Sequence, residues 1–319
     1  PEKPLASLEL LISEKGNGQF TRPDGEVKKV ESANLANVDA AVINWKDRGD
    51  KSRDNLMVFY FCGHGVASGD ITTLLLHDFG KREDRPLKQA IDFGGFHLGM
   101  DKCAARQQCY FVDTCRVASP TLIEASNYAG DPIIYGSAKH STKGKRYAPV
   151  YYSTVAGSRA YGREGAPSIF TEVLLRAMKG AGSGRIRGDW HVTTNTLANG
   201  ISYLLEWEIR EDEPVEQVPE TGKVARFPLH YLKGKPVVPV RIGCVPSKAN
   251  DEARLSYSDV DVPGGIVTRK DMDPMDWEVD IEPGRYRFSA EFPGGAYRDN
   301  NEEGLVWPPI IEVPIGVKL

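Results

Sequence analysis

Residues 56–65, LMVFYFCGHG, decide the prediction of the fold. Six apolar residues come first, with β-branched and aromatic side chains and no polar alternation. That pattern is typical of a central strand covered on both faces. The run ends at Cys62 and His64, which are separated and followed by glycines. The stretch therefore predicts a buried strand that carries two reactive side chains to one edge of a sheet.

Two later apolar runs, residues 109–112 and 150–155, have the same character. The first of them continues into the polar residues Asp113-Thr114-Cys115-Arg116. Three segments have apolar residues at helical spacing: 34–45 with Asn34 as its cap, 170–178 and 196–207. Strands that alternate with helices predict an α/β fold with a mostly parallel sheet. We expect a three-layer α/β/α sandwich.

The pattern changes after about residue 231, where Gly-Lys-Pro (234–236) marks a break. Short β-like runs separated by turn residues then replace the helical periods: 237–242, 253–257, 277–281, 286–290 and 310–313. These runs predict an all-β sandwich of roughly 85 residues. We therefore expect two domains, residues 1–232 and 233–319.

Composition excludes several classes of protein. The 319 residues include 40 basic and 44 acidic side chains, and this balance does not favour nucleic acid or an anionic membrane as a partner. No apolar run approaches the ~18 residues of a membrane-spanning helix. The five cysteines are scattered, unlike the framework of a small disulfide-rich secreted domain. We expect a reducing, cytoplasmic location.

His64 and Cys115 follow two predicted strands, and the carboxyl ends of parallel strands lie at one edge of a sheet. If the strands are neighbours, the two side chains meet. A histidine can then take the thiol proton and return it to a leaving amine. The backbone N–H groups of Gly65 and Cys115 are candidates for an oxyanion hole. The alternatives are a small buried cysteine and a histidine in a turn.

The motif Tyr60-Phe61-Cys62-Gly63-His64-Gly65 resembles the histidine motif of caspases, metacaspases and their bacterial relatives. Cys115 follows His64 by 51 positions, close to the separation of about 50 in caspases. Residues 112–116 resemble the nucleophile motif, and residues 152–157 resemble the strand that leads into the substrate segment. The resemblance covers roughly residues 5–232. It implies a caspase-like cysteine endopeptidase, with Cys115 as nucleophile and His64 as general base.

The resemblance also bears on specificity. Asp113 stands where metacaspase-like enzymes place the acid that binds a basic P1 side chain, and Gly162 stands where aspartate-specific caspases have an arginine. The charge of Asp113 favours cleavage after Arg or Lys, although Asp113 is alternatively a structural acceptor for backbone N–H groups. Cys62 either lines the same pocket or is packed. The backbone around Ala160 is expected to pair with the substrate as an added strand.

Two features concern activation. Residues 139–146 (KHSTKGKR) carry four basic side chains and are either a solvated loop or a linker for autoprocessing. Residues 8–13 (LELLIS) predict a buried strand, but the resembled family has a strand and helix ahead of it. We therefore expect an upstream segment, cleaved or missing, to act as an activating partner.

No metal or organic cofactor is expected, although calcium activates some metacaspase-like relatives. The expected partner is a protein or peptide substrate, and the expected roles are regulated proteolysis in bacterial defence, stress or cell death. The main alternative is a catalytically inactive scaffold or adaptor, and a weaker one is acyl transfer by the same Cys–His pair.

Overall fold

The computed structural model describes residues 3–13, 18–22, 24–68, 71–117, 130–135, 146–154, 165–208, 220–222, 225–262 and 264–319. The chain forms two compact units. One comprises residues 1–171 and 209–227, and the other comprises residues 172–208 and 228–319. The expected domain boundary after residue 232 stays a prediction.

The strands are numbered in chain order. They are β1 (Gln19–Thr21), β2 (Val27–Lys29), β3 (Leu56–Gly63), β4 (Gly65–Ser68), β5 (Ile71–Leu75), β6 (Ala90–Asp92), β7 (Gln107–Thr114), β8 (Val150–Tyr152), β9 (Ser183–Ile186), β10 (Asp189–Thr193), β11 (Glu220–Gly222), β12 (Pro228–Tyr231), β13 (Val238–Val245), β14 (Arg254–Asp259), β15 (Ile266–Thr268), β16 (Trp277–Ile281), β17 (Gly284–Glu291), β18 (Asn300–Val306) and β19 (Ile311–Gly316).

The α-helices are α1 (Leu35–Gly49), α2 (Phe93–Gly99), α3 (Ile169–Arg176) and α4 (Thr194–Glu208). A π-helix, Ala177–Ala181, follows α3. The α1 helix begins as predicted, because the Asn34 side chain accepts a hydrogen bond from the Asn37 backbone N–H at 2.9 Å. Within the described residues, no helix has the length and apolar character needed to cross a membrane.

The central sheet of the first unit has the strand order β11-β8-β7-β3. The β3 strand is parallel to β7, with Cys62 beside Asp113 and Gly63 beside Thr114. At its other edge β7 pairs with β8, and these two strands are parallel. The β8 strand in turn pairs with β11, which is antiparallel to it. The parallel core confirms the α/β class, and it makes the strands before His64 and Cys115 direct neighbours.

One face of β3 packs in the core, and the other does not. Phe59 lies among aromatic rings, with ring centroids 5.2 Å from Phe96 and 5.9 Å from Tyr110. On the opposite face Val58 is 49% exposed and Tyr60 is 46% exposed. Within the described residues β3 pairs with β7 alone. The prediction of a central strand covered on both faces is therefore wrong, because an apolar run does not report how many neighbours it has.

Residues 8–13 also differ from the prediction. They form no strand, and their backbone contact is an isolated bridge from Leu11 to Glu31. Leu8 is exposed. The apolar pattern is present, but the described residues provide no ladder of hydrogen bonds along this segment. The expected buried strand is therefore wrong for this structure.

A three-stranded antiparallel sheet, β4-β5-β6, follows the histidine motif. The β4 and β5 strands form a hairpin in which Gly65 lies opposite Leu74. The hairpin begins at His64 itself, whose backbone C=O accepts a hydrogen bond from Leu75 N–H at 2.9 Å. His64 therefore lies at the junction of a parallel and an antiparallel sheet.

The last part of the second unit is all β, in the order β16-β13-β19 for one sheet and β15-β14-β17-β18 for another. Both sheets contribute to one apolar core, in which Val240, Ile242, Leu255, Phe288 and Ile315 are fully buried. All five runs predicted from the sequence after residue 236 coincide with strands. Buried and exposed residues alternate along β16, β17 and β19, whereas β13 is buried along most of its length.

Candidate active site

His64 follows β3 directly, and its side chain is exposed. Its backbone is fixed from both sides, by β3 before it and by the hydrogen bond from Leu75 after it. The next residue, Gly65, is buried and begins β4. The imidazole therefore projects from a rigid turn and can reach solvent and a bound molecule.

Cys115 follows β7 directly; it is in no disulfide bond, and it is partly exposed. The residue before it is held by a reciprocal pair of hydrogen bonds. Thr114 N–H donates to Ser153 Oγ at 3.1 Å, and that hydroxyl donates to the Thr114 carbonyl at 3.2 Å. Thr114 and Ser153 are both buried. This arrangement ties the end of β7 to the residue that follows β8 and so fixes the backbone that carries the thiol.

The segments that carry His64 and Cys115 are in contact. A Cβ atom added at Gly65 would overlap Thr114 Oγ1 and would lie 3.0 Å from the backbone oxygen of Cys115. Only a glycine permits this approach without displacement of one of the two segments. The structure thus brings together the backbones of the two predicted reactive residues.

Asp113 is 3% exposed, and its carboxylate lies at the start of α3. Its Oδ2 accepts a hydrogen bond from Thr171 Oγ1 at 2.6 Å and a second one from the Ser168 hydroxyl. Ser168 also caps the helix, because its Oγ accepts a hydrogen bond from Thr171 N–H at 3.1 Å. Asp113 therefore anchors the start of α3 through two side-chain hydroxyls, whereas the structural alternative expected backbone N–H donors.

Both hydroxyl donors to Asp113 are neutral, and no ion pair joins Asp113 to a cation among the described residues. A buried carboxylate without a counter-ion is costly.

Cys62 lies beside Asp113 on the same face of the sheet, and its side chain is exposed. Surrounding protein raises the pKa of the Cys62 thiol, and the charge of Asp113 raises it further. The Tyr60 hydroxyl, on the same face, lies 2.6 Å from Thr171 Oγ1. Asp113, Cys62 and Tyr60 therefore share one face of the sheet.

Other predicted site residues lie outside the described part of the chain. These are Ala160 and Gly162 of the substrate segment, and all of residues 139–146 except Arg146. Arg146 is held in place, with its guanidinium 2.9 Å from Asp101 and donating to the His97 carbonyl at 2.9 Å.

Several buried polar residues around the site were not predicted. They are Thr72 and Thr73 of β5, Arg116, Ser153 and Thr154. With Asp113 and Thr114 they form a polar shell at the ends of β7 and β8. Among the described residues of the first unit, the buried polar side chain outside this shell is Gln108. The sequence signal that could have indicated these residues is a pair of polar residues directly after an apolar strand, as in Ser153-Thr154. Their contacts join residues far apart in sequence.

The family model of the caspase domain, a peptidase family, matches residues 8–221. The chain belongs to the caspase-domain family. The match spans the histidine motif, the cysteine motif and the helix that Ser168 caps, so the caspase domain includes every element of the site. This membership supports an α/β fold and places the chain among caspase-like cysteine peptidases.

A curated protein of Sinorhizobium fredii (strain NBRC 101917 / NGR234) is also similar to this chain. It is 29% identical over 259 residues, which are 77% of this chain and 71% of the relative. Its name is "Uncharacterized protein y4kE". The similarity covers most of both chains, and the name of the relative states no activity.

Proposed function

We propose that this caspase domain is an active cysteine endopeptidase that cleaves after Arg or Lys. The observation that carries the proposal is the packing of Gly65 against Thr114 and Cys115, because it holds the segments of the base and the nucleophile together. The partial exposure of Cys115, which is in no disulfide bond, and the exposed imidazole of His64 support access to substrate.

The reaction follows from the chemistry of the two groups. His64 takes the thiol proton, and the Cys115 sulfur attacks the scissile carbonyl carbon. The backbone N–H groups of Gly65 and Cys115 stabilise the oxyanion. The C–N bond then breaks, and His64 gives its proton to the leaving amine. Water attacks the thioester with His64 as base, and the acid product and the free thiol are released.

The preference for a basic P1 residue rests on Asp113. A P1 guanidinium or ammonium would supply the counter-ion that this buried carboxylate lacks among the described residues. Cys62 would line the same pocket, because its side chain is exposed and the charge of Asp113 raises the pKa of its thiol. The backbone around Ala160 would pair with the extended substrate. The position of β8, next to β7, supports this role because the substrate segment follows β8 in the chain.

The basic segment before β8 is proposed as a site of autoprocessing. Arg146 would not be the residue cleaved, because its side chain is 11% exposed and is bound to Asp101 and His97. The bond cleaved would follow Lys139, Lys143 or Lys145.

The larger architecture is also a proposal. We infer an α/β/α sandwich for the caspase domain and a β-sandwich for the last strands, supported by the parallel sheet and by the two sheets with one core. An upstream segment or an activating polypeptide would pair with the open edge of β3. The absence of a disulfide among the five cysteines supports a cytoplasmic location, and the family supports a role in regulated proteolysis.

The test is a panel of fluorogenic peptides with Arg, Lys or Asp at P1. We expect turnover of the Arg and Lys substrates, and a loss of at least about 10³-fold in Cys115→Ala and His64→Ala. Cys244→Ala and His77→Ala are the matched controls, because Cys244 lies in the core of the second unit and His77 is exposed outside the site.

Three outcomes would contradict parts of the proposal. Equal activity in wild type and Cys115→Ala would refute the mechanism, and preference for Asp at P1 would refute the pocket. No turnover by a folded wild-type protein would favour an inactive scaffold. A peptide-ketone that labels Cys115 covalently would separate peptide cleavage from other acyl transfer.

A further inference from the structure

Arg116 is the residue directly after Cys115, and it is 3% exposed. Its Nε donates a hydrogen bond to Thr72 Oγ1 at 3.3 Å, and its Nη1 donates to the Thr154 carbonyl at 3.1 Å. The guanidinium carbon lies 4.0 Å from the centre of the Tyr152 ring. The planar guanidinium therefore combines two hydrogen bonds with one cation–π contact, which a lysine ammonium cannot reproduce.

The contacts of Arg116 lie on two elements that converge on the site. Thr72 belongs to β5, the partner of β4 in the hairpin that begins at His64 and Gly65. Tyr152 ends β8, and Thr154 leads toward the predicted substrate segment. A single buried side chain thus joins the His64 hairpin and the end of β8 to the peptide that carries Cys115.

Burial makes this connection rigid. Transfer of a guanidinium into the protein is costly unless its donors are bonded, so movement of any one contact is opposed by the others. The same burial keeps Arg116 away from a bound substrate. Any effect of Arg116 on catalysis would therefore pass through the position of the Cys115 backbone and sulfur.

We propose that Arg116 is a positioning residue, which fixes the Cys115 peptide relative to the His64 hairpin and to β8. This inference rests on the proposed peptidase function. A misplacement of about 1 Å at reacting atoms can lower a rate by roughly 100-fold. Loss of Arg116 should therefore lower kcat and leave KM nearly unchanged.

The test compares Arg116→Gln, Arg116→Lys and Thr72→Val with wild type. Active sites are counted with a peptide-ketone, and kcat per active site and KM are measured on a P1-Arg peptide. We expect kcat to fall about 10- to 100-fold in Arg116→Gln with KM within about twofold. Arg116→Lys should recover only part of kcat. Thr72→Val keeps the shape of the side chain at position 72 and leaves Arg116 with its charge, but it removes the hydroxyl that Arg116 Nε binds. It should therefore lower kcat by a smaller factor.

Arg146→Gln is the matched control, because Arg146 is also a largely buried arginine of the first unit. It should lower the melting temperature and leave kcat per active site unchanged. Wild-type kcat per active site in both Thr72→Val and Arg116→Lys would overturn the proposal, even if Arg116→Gln did not fold.

The labelling rate of Cys115 by iodoacetamide at one fixed pH distinguishes this inference from the peptidase proposal. If wild type hydrolyses no peptide, the peptidase proposal fails. A labelling rate changed in Arg116→Lys and Thr72→Val would still support the positioning of Cys115. An unchanged labelling rate would refute it.

Discussion

Gly65 packs against the backbone carbonyl of Cys115, and the hydroxyl of Thr114 occupies the space that a side chain at position 65 would need. Gly65 follows the predicted base, and Cys115 is the predicted nucleophile. The two residues are 50 positions apart in the chain. The contact includes backbone atoms of both, and these cannot move independently of β4 and β7.

Gly65→Ala should therefore disable the site. The added methyl group must displace either the His64 hairpin or the Cys115 segment, and we expect kcat/KM for a P1-Arg peptide to fall at least about 10-fold. Gly234→Ala is the control, because a Cβ atom at Gly234 meets no atom within 4 Å. In the double variant Gly65→Ala, Thr114→Ala the nearest side-chain atoms are gone, and part of the activity should return. Full activity of Gly65→Ala would show that the two segments need not touch.

Asp113→Asn tests the charge of the proposed pocket. The amide keeps an oxygen for the two hydroxyl donors and removes the negative charge, so kcat/KM on Arg and Lys peptides should fall by about 100-fold. Ser168→Ala is the comparison, since it removes one donor to Asp113 and keeps the charge. It should cost stability through the lost helix cap, about 1 kcal/mol, with P1 preference retained. An unaltered preference in Asp113→Asn would mean that Asp113 is structural only.

Cys62 offers a probe of the same field. Partial desolvation by the surrounding protein and the charge of Asp113 raise the pKa of the exposed Cys62 thiol, so the thiol stays protonated to higher pH than an ordinary cysteine. Only the thiolate reacts, and labelling of Cys62 by iodoacetamide should therefore begin at higher pH than that of a free peptide thiol. In Asp113→Asn the onset should move to lower pH. Peptide mapping by mass spectrometry from about pH 6 to 10 measures both curves. Coincident curves would show that the charge of Asp113 does not reach the exposed face.

The position of autoprocessing can be tested with the basic side chains before β8. Replacement of Lys139, Lys143 and Lys145 by Gln should abolish fragments that wild type produces and Cys115→Ala does not. Arg146→Gln should still be cut, because the wild-type Arg146 side chain is already bound within the protein. Fragment masses identify the bond. A cut after Arg146 in wild type would require the contact with Asp101 to break first, and it would contradict the proposed position.

The elements that sequence analysis predicted well are those with a complete local signal. The apolar runs at β3 and β7 and the Asn34 cap of α1 depend on residues close together in the chain. The short β-like runs after residue 236, separated by turn residues, also depend on residues close together in the chain. Where the prediction failed, the sequence did not reveal whether a partner strand lies beside the segment. Residues 8–13 have the composition of a strand, but the described residues supply no ladder of hydrogen bonds beside them.

The residues of the candidate site also fall into those that local sequence could predict and those that it could not. His64, Cys115 and Asp113 could be predicted because each follows an apolar run, and the register of β3 and β7 brings these ends together. The hydrogen bond between Arg116 and Thr72 joins residues 44 positions apart, on elements that are not neighbours in one sheet. No spacing rule predicts such a pair. The polar shell around Cys115 therefore could not be predicted and was found only in the structure.

The open edge of β3 has a consequence for the behaviour of this protein in solution. The strand that precedes His64 has peptide groups along one side with no partner strand among the described residues, next to the exposed side chains of Val58 and Tyr60. Such an edge binds any extended chain of suitable shape, including that of a second molecule. Occupancy of the edge then obeys mass action. The proposed peptidase activity per molecule should therefore change with protein concentration, and each rate should be measured over a dilution series.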